Sequence, residues 1–302
     1  MNLSKSQLAV VAIIIANMIW GAAPPIFKWA LHDIHPYTLA LLRFVVPAII
    51  MYPFVRGKLR INKKDYLNIF LIGFFGITVN IIFFFHGLMQ APSINAALIG
   101  SSGPIFIILY SLLFLREKPK RKLIFGAHIG LLGVLFVLIT PLFKHGNLAA
   151  IGNFYYLVSM LSGVTAVLLV RKVVKRNNPI AVTFWSFVTG SIGFIPFFIN
   201  EVQIYGFLPN LNTQGIIGLI FGIFFSTLAA YFLQAWALKY LTAADVSVFT
   251  YIDPVVTLLI AAPLLGEFPD TTFVFGTVFV LLGILIAEGR FHYHPFHLFF
   301  KK

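Results

Sequence analysis

Residues 65–88 read DYLNIFLIGFFGITVNIIFFFHGL. After its opening Asp65 this stretch carries no Asp, Glu, Lys or Arg, and it is long enough for a helix to cross about 30 Å of hydrocarbon, which takes roughly 20 apolar residues. Comparable runs fill the rest of the chain. They lie at 8–31, 36–56, 92–115, 121–143, 149–173, 179–200, 214–239, 243–264 and 271–290. With 65–88 they predict ten transmembrane helices in an all-α integral membrane protein. Composition agrees: of 302 residues, 60% are hydrophobic and 10% charged, where an ordinary soluble domain is about a quarter charged. Short alternating strands of the outer-membrane barrel type are not seen. The first run is too long for a cleavable signal, and Gly21-Ala22-Ala23 is followed by Pro24-Pro25, a poor cleavage context. It is read as a retained helix.

The net charge is +13. If the N-terminus is cytoplasmic, nineteen of the 22 Lys and Arg fall on the cytoplasmic side, from Lys5 through Arg56–Lys64, Arg116–Lys122, Arg171–Arg176 and Lys239 to Lys302. Lys144 alone falls outside, and Lys28 and Arg43 lie within spans. This bias places both termini of a multi-pass membrane protein in the cytoplasm. It assigns the basic loops to anionic lipid rather than nucleic acid. The chain has no cysteine, so no disulfide or thiolate chemistry is available.

Two halves are related by displacement. A shift of 150 residues lays Pro104 on Pro254, Glu117 on Glu267, Pro119 on Pro269, Phe125-Gly126 on Phe275-Gly276 and Leu132-Gly133 on Leu282-Gly283. A shift of 143 lays Pro36 on Pro179, Phe44 on Phe187 and Pro53-Phe54 on Pro196-Phe197. The expected organisation is two inverted five-helix repeats, 1–148 and 149–302, the second ending in a short cytoplasmic tail. Inverted repeats of this kind point to transporters that work around a midplane site.

The residues that carry these matches resemble the EamA repeat. Asn17-Met18-Ile19-Trp20-Gly21 with Lys28, Pro36 and Arg43 is similar to its opening, and His86-Gly87-Leu88 through Ser93–Ile99 to Pro104 and Phe114–Glu117 is similar to its later part. Trp236–Tyr240, Thr242-Ala243-Ala244, Asp253-Pro254 and Leu264–Glu267 repeat the pattern. The chain thus resembles the ten-helix branch of the drug/metabolite transporter superfamily. The resemblance implies a central cavity lined by helices 1, 3, 4, 6, 8 and 9. It also implies an inner-membrane carrier of amino acids or other small metabolites, often exported; with no catalytic motif in the chain, no enzyme role and no cofactor are expected. A multidrug or nucleotide-related carrier is the alternative; an intramembrane enzyme or a channel is the weaker one. Ser162-Gly163 stands where the first half has Trp20-Gly21, and neither Lys28 nor Arg43 has a counterpart. The polar site is therefore expected in the first half plus the ninth span.

Ionisable residues inside spans are expensive in lipid and functional by default. Lys28 has two readings: snorkelling to the interface, or a cavity cation for a carboxylate or phosphate. Arg43 sits deeper, and pairs with a helix end or an acid, or else touches ligand. Asp253 is the one carboxylate well inside a span. It is read as a proton site or a substrate-amine contact, or as the ion-pair partner of Lys28 or Arg43. His86 is a proton carrier or ligand donor, or an interfacial histidine; no second metal ligand stands at useful spacing. Ser101, Ser102 and Pro104, matched by Tyr251, Asp253 and Pro254, mark broken mid-span segments, the sequence pointer to a transporter site. The competing reading is a plain proline kink. Pro24 and Pro25 bend the first helix as a hinge. Asn80 and Asn95, with Asn17 and Gln234, are polar groups in apolar spans that must find a partner or line water. Trp20 and Trp236 are either cavity walls or belt residues. The expected partners are a small-molecule substrate, membrane lipid and a coupling proton, for a monomer or homodimer. The tail His292–His297 is read as interfacial rather than metal-binding.

Overall fold

The computed structural model describes residues 4–107, 110, 121–144, 147–208 and 211–288. The Glu117-x-Pro119 corner and the histidine tail lie outside the described residues. All regular elements among the described residues are helical. In chain order they are α1 (Lys5–Ala30), α2 (Pro36–Val55), α3 (Tyr66–Gly73), α4 (Asn80–Gln90), α5 (Ser93–Gly100), α6 (Arg121–Lys144) and α7 (Asn147–Val173). There follow α8 (Pro179–Ile192), α9 (Ile195–Tyr205), α10 (Thr213–Ile220), α11 (Ala230–Tyr240), α12 (Ala243–Ser247), α13 (Ile252–Leu265) and α14 (Thr271–Glu288).

The ten spans expected from hydropathy are not what the structure shows. Among the described residues six helices are long and apolar enough to cross a membrane: Lys5–Ala30, Pro36–Lys58, Lys63–Gln90, Leu148–Val173, Thr213–Tyr240 and Asp245–Leu265. A seventh arises if α8 and α9, bent by 51°, count as one. Among the described residues the apolar stretches Ser93–Ile107, His128–Thr140 and Thr271–Gly283 are shorter, 10–17 residues. The inverted five-helix pairing is likewise not reproduced. Under the 143-residue shift α2 should match α8–α9, yet α2 runs unbroken for 20 residues while its counterpart breaks between Ile192 and Ile195. The cause is local. Gly193, which falls on Ile50 under that shift, is pressed so closely on Thr78 that a Cβ would sit 2.2 Å from the threonine methyl, whereas Pro196 falls on Pro53, which α2 carries without a break.

What is built is a multi-pass helical membrane protein. Its outer surface is apolar, with Phe54, Leu67 and Leu259 largely exposed, as lipid requires. α1 opens on a capping box: Gln7 N–H donates to Ser4 Oγ, and Ser4 N–H to Gln7 Oε1. It then continues through Pro24 and Pro25 without a break. It runs against α13, where Gly21 leaves no room for a side chain: a Cβ there would lie 2.9 Å from the Asp253 carbonyl oxygen. Thr257 Oγ1 donates to the Gly21 carbonyl at 2.6 Å across the same contact.

Two spans carry π-helical interruptions, Phe74–Val79 between α3 and α4 and Phe221–Ala229 between α10 and α11. A π turn misaligns the backbone and leaves carbonyls for side chains. Here Phe75 O takes the Ser162 hydroxyl, Gly76 O the Tyr231 hydroxyl and Ser226 O the Trp20 indole N–H. At the end carrying the basic loops, fully buried Asp65 accepts from Arg176 (2.7 Å), Asn177 (2.8 Å) and Asn68 (3.2 Å). At the opposite end Glu201 accepts from the Tyr37 and Thr38 N–H groups and the Thr38 hydroxyl, capping α2.

Candidate functional site

A cavity of about 280 Å³ lies in the middle of the bundle. α1 supplies Asn17, Trp20, Pro24 and Phe27; α2 supplies Arg43; α4 supplies Asn80 and Phe84. α7, α8 and α11 add Tyr156, Thr183, Tyr231 and Gln234, and the start of α13 adds Asp253. The walls are mostly apolar and aromatic, with few polar groups, the usual make-up of a small-molecule site.

Arg43 is 2% exposed. Its Nε donates to Thr227 Oγ1 at 3.2 Å and its Nη2 to Ser226 Oγ at 2.9 Å. The guanidinium carbon stands 4.3 Å from the Phe27 ring centroid and 5.0 Å from that of Phe44, a cation–π environment that helps hold a charge in lipid. Nη1 has no partner among the described residues. Asp253 is in the same position: its Oδ1 is buried and unpartnered. The ion pairs of the described residues are Lys28–Glu267 and Arg176–Asp65, so Asp253 is paired with neither Lys28 nor Arg43. A third buried atom without a partner among the described residues on this cavity is Thr183 Oγ1. Leaving such groups unmade in a low-dielectric interior costs about 1–3 kcal/mol each, more when charged. Three lining one cavity are groups a ligand can satisfy.

The other residues singled out in the sequence are distributed as follows. Trp20 packs edge-on to Tyr231 with centroids 5.4 Å apart. Asn80 Nδ2 donates to the Ser159 carbonyl at 2.7 Å from the cavity wall. Lys28 stands away from the cavity and donates to Glu267 Oε1 and the Ala91 carbonyl, both at 2.8 Å. His86 lies beyond it too, its Nδ1 2.8 Å from the Ile82 carbonyl and its Nε2 3.4 Å from the Tyr37 hydroxyl. Asn95 faces a second cavity and donates to Asn153 Oδ1 at 3.0 Å. Ser101 and Ser102 bond back to Leu98 and Ile99 carbonyls in the turn that ends α5; Gly100 and Gly103 beside them line the central cavity. Trp236 packs on Tyr240. Tyr251 ends a 3-10 turn, Val248–Tyr251, and Pro254 falls in the first turn of α13, where a missing N–H costs nothing. Pro104 similarly opens the helix that resumes after Ser101-Ser102.

Ser226, Thr227 and Tyr231 escaped the sequence reading. The signal was present, since Ser-Thr followed by Tyr in the apolar run 214–239 is a polar face seeking a partner. Their partner, Arg43, is nearly two hundred residues away, and no local pattern links them.

The model of the EamA-like transporter family matches this chain twice, at residues 7–139 and 150–288. The chain belongs to the EamA-like transporter family. An uncharacterized transporter of Archaeoglobus fulgidus is 31% identical to this EamA protein over 90% of the chain and 95% of its own length. The uncharacterized transporter YyaM of Bacillus subtilis is 26% identical over 89% and 90%. A solved structure, titled only as a crystal structure of a protein, shares the fold with a TM-score of 0.64. It is 17% identical, over 92% of this chain and 96% of its own. The EamA protein is therefore a membrane-embedded secondary transporter of small molecules, not an enzyme.

Proposed function

We propose that this EamA protein carries an amino-acid-like metabolite across the cell inner membrane by alternating access, with the central cavity as its binding site. One observation carries the reading. A single cavity of about 280 Å³ presents one guanidinium and one carboxylate, each with an unpartnered buried atom, between aromatic walls. A zwitterion offers its carboxylate to Arg43 and its ammonium to Asp253. Trp20, Phe27, Phe84 and Tyr231 suit an apolar or aromatic remainder. The moving bodies are the halves 1–148 and 149–302, a division supported by the two family matches. Asp253 is also the proton site if transport is proton-coupled. Both termini are placed in the cytoplasm on the asymmetry of Lys and Arg.

The test is the melting temperature of the purified protein against amino acids, their amides, nucleosides and lipophilic cations. A ligand at 100 times its Kd stabilises by about 2.7 kcal/mol. The expected result is a shift with one class of free amino acid that is absent with its amide. A shift with lipophilic cations alone transfers the role to Asp253 and the aromatic walls and makes the protein a multidrug carrier.

A further inference from the structure

The sequence singled out Lys28 and the Glu267-x-Pro269 corner, and the substrate cavity uses neither. We propose that Glu267 is the latch of a gate that separates the central cavity from an outer vestibule. The transport reading supplies the cavity, but the latch does not depend on which cargo fills it.

The vestibule is the second cavity, of about 290 Å³, at the end away from the basic loops. Its lining includes Pro92, Ile94, Asn95, Glu267 and Phe268. The central cavity is lined by Ala96 and Ala97 of the same helix. The first turn of α5 is thus the partition, with one face on each cavity.

Glu267 holds that partition shut. Its Oε2 accepts from Ser93 N–H (2.7 Å), Ser93 Oγ (2.6 Å) and Ile94 N–H (3.3 Å). These are orphan donors at the positive end of a helix, where a carboxylate binds well. Oε1 accepts from Lys28 Nζ, which also donates to the Ala91 carbonyl just before α5. α1, α5 and the end of α13 are therefore tied through one carboxylate. Ser93 is fully buried beneath it.

The backbone aims the latch. Gly266 ends α13 at φ 66°, in the left-handed region that favours glycine. Its N–H returns to the Ala262 carbonyl, and the Glu267 N–H to that of Ala261. This turn directs Glu267 away from its own helix and onto α5. Charge-assisted bonds hold firmly yet exchange as a set, so releasing Glu267 frees the first turn of α5 to swing aside and join the two cavities.

The chain has no cysteine, so introduced thiols report alone. Ala96→Cys marks the central side of the partition and Phe268→Cys the vestibule. Each is treated in sided membrane vesicles with a membrane-impermeant thiol reagent applied from the Glu267 face. With the latch intact, Phe268→Cys is modified and Ala96→Cys is at least about tenfold slower. Adding Glu267→Gln raises the Ala96→Cys rate about tenfold, the shift expected when charge-assisted bonds are lost. Lys28→Met, which leaves the cap on α5 in place, raises it less. Gly266→Val, which misaims the carboxylate, has the effect of Glu267→Gln. If Ala96→Cys reacts as fast as Phe268→Cys with Glu267 intact, the gate does not exist. If the rate is unmoved in both Glu267→Gln and Lys28→Met, Glu267 is not its latch. No substrate is needed, so this result stands or falls apart from the choice of cargo.

Discussion

Arg43 is charged, 2% exposed and half satisfied. Two hydroxyls and a ring of phenylalanines keep it in place, but one nitrogen has no partner among the described residues. Replacing it by methionine keeps much of the packing and removes the charge. Arg43→Met is expected to weaken binding of a carboxylate-bearing substrate by about 10–100-fold, the loss of one hydrogen bond to a charged group. The amide of that substrate should be little affected. Isothermal titration of both ligands on the purified variant reads the difference, and equal losses would remove Arg43 from the site. Asp253→Asn is expected to abolish the pH dependence of transport in proteoliposomes while leaving the fold intact. If the dependence survives unchanged, Asp253 is not the proton site.

At the scale of the element, the ends of helices matter more than their middles. The start of α2 is capped by a carboxylate 163 residues away, Glu201, through two backbone N–H groups and a hydroxyl. Glu201→Ala leaves those donors without a partner in a buried setting, at a cost of about 1–3 kcal/mol. A lowered melting temperature is the expected outcome, recovered in part by Glu201→Gln, which retains an acceptor. A thermal melt of the three proteins side by side checks it. The π interruptions are the other element-scale device. They turn backbone carbonyls of Phe75, Gly76 and Ser226 toward side chains from other helices. The second interruption also carries the two hydroxyls that hold Arg43.

The whole molecule is polarised. Positive loops crowd one end, while Glu201, Glu267 and the two caps they form occupy the other. If the basic end faces the cytoplasm, reporter fusions after Glu288 and at the N-terminus both give cytoplasmic signals, and one in the segment following Tyr205 gives the opposite signal. Opposite signals from the two termini would reject that orientation.

Hydrophobic composition, run length and charge asymmetry by themselves determined that this chain is a helical membrane protein with a basic face. The paired Gly, Pro and Glu positions brought out its likeness to the EamA repeat. These properties are legible because each is local or periodic along the chain. The number of full spans was not legible, because an apolar run does not say where its helix breaks. Gly193 against Thr78 decides that between α8 and α9. Nor were the partners legible. Lys28 looked equally suited to lipid headgroups or a substrate anion, but it meets Glu267, 239 residues on. Arg43 meets Ser226 and Thr227, and Asp253 meets neither cation. A side chain in lipid must find whatever polar group folding brings within about 3 Å. Only the packing of distant helices decides which group that is.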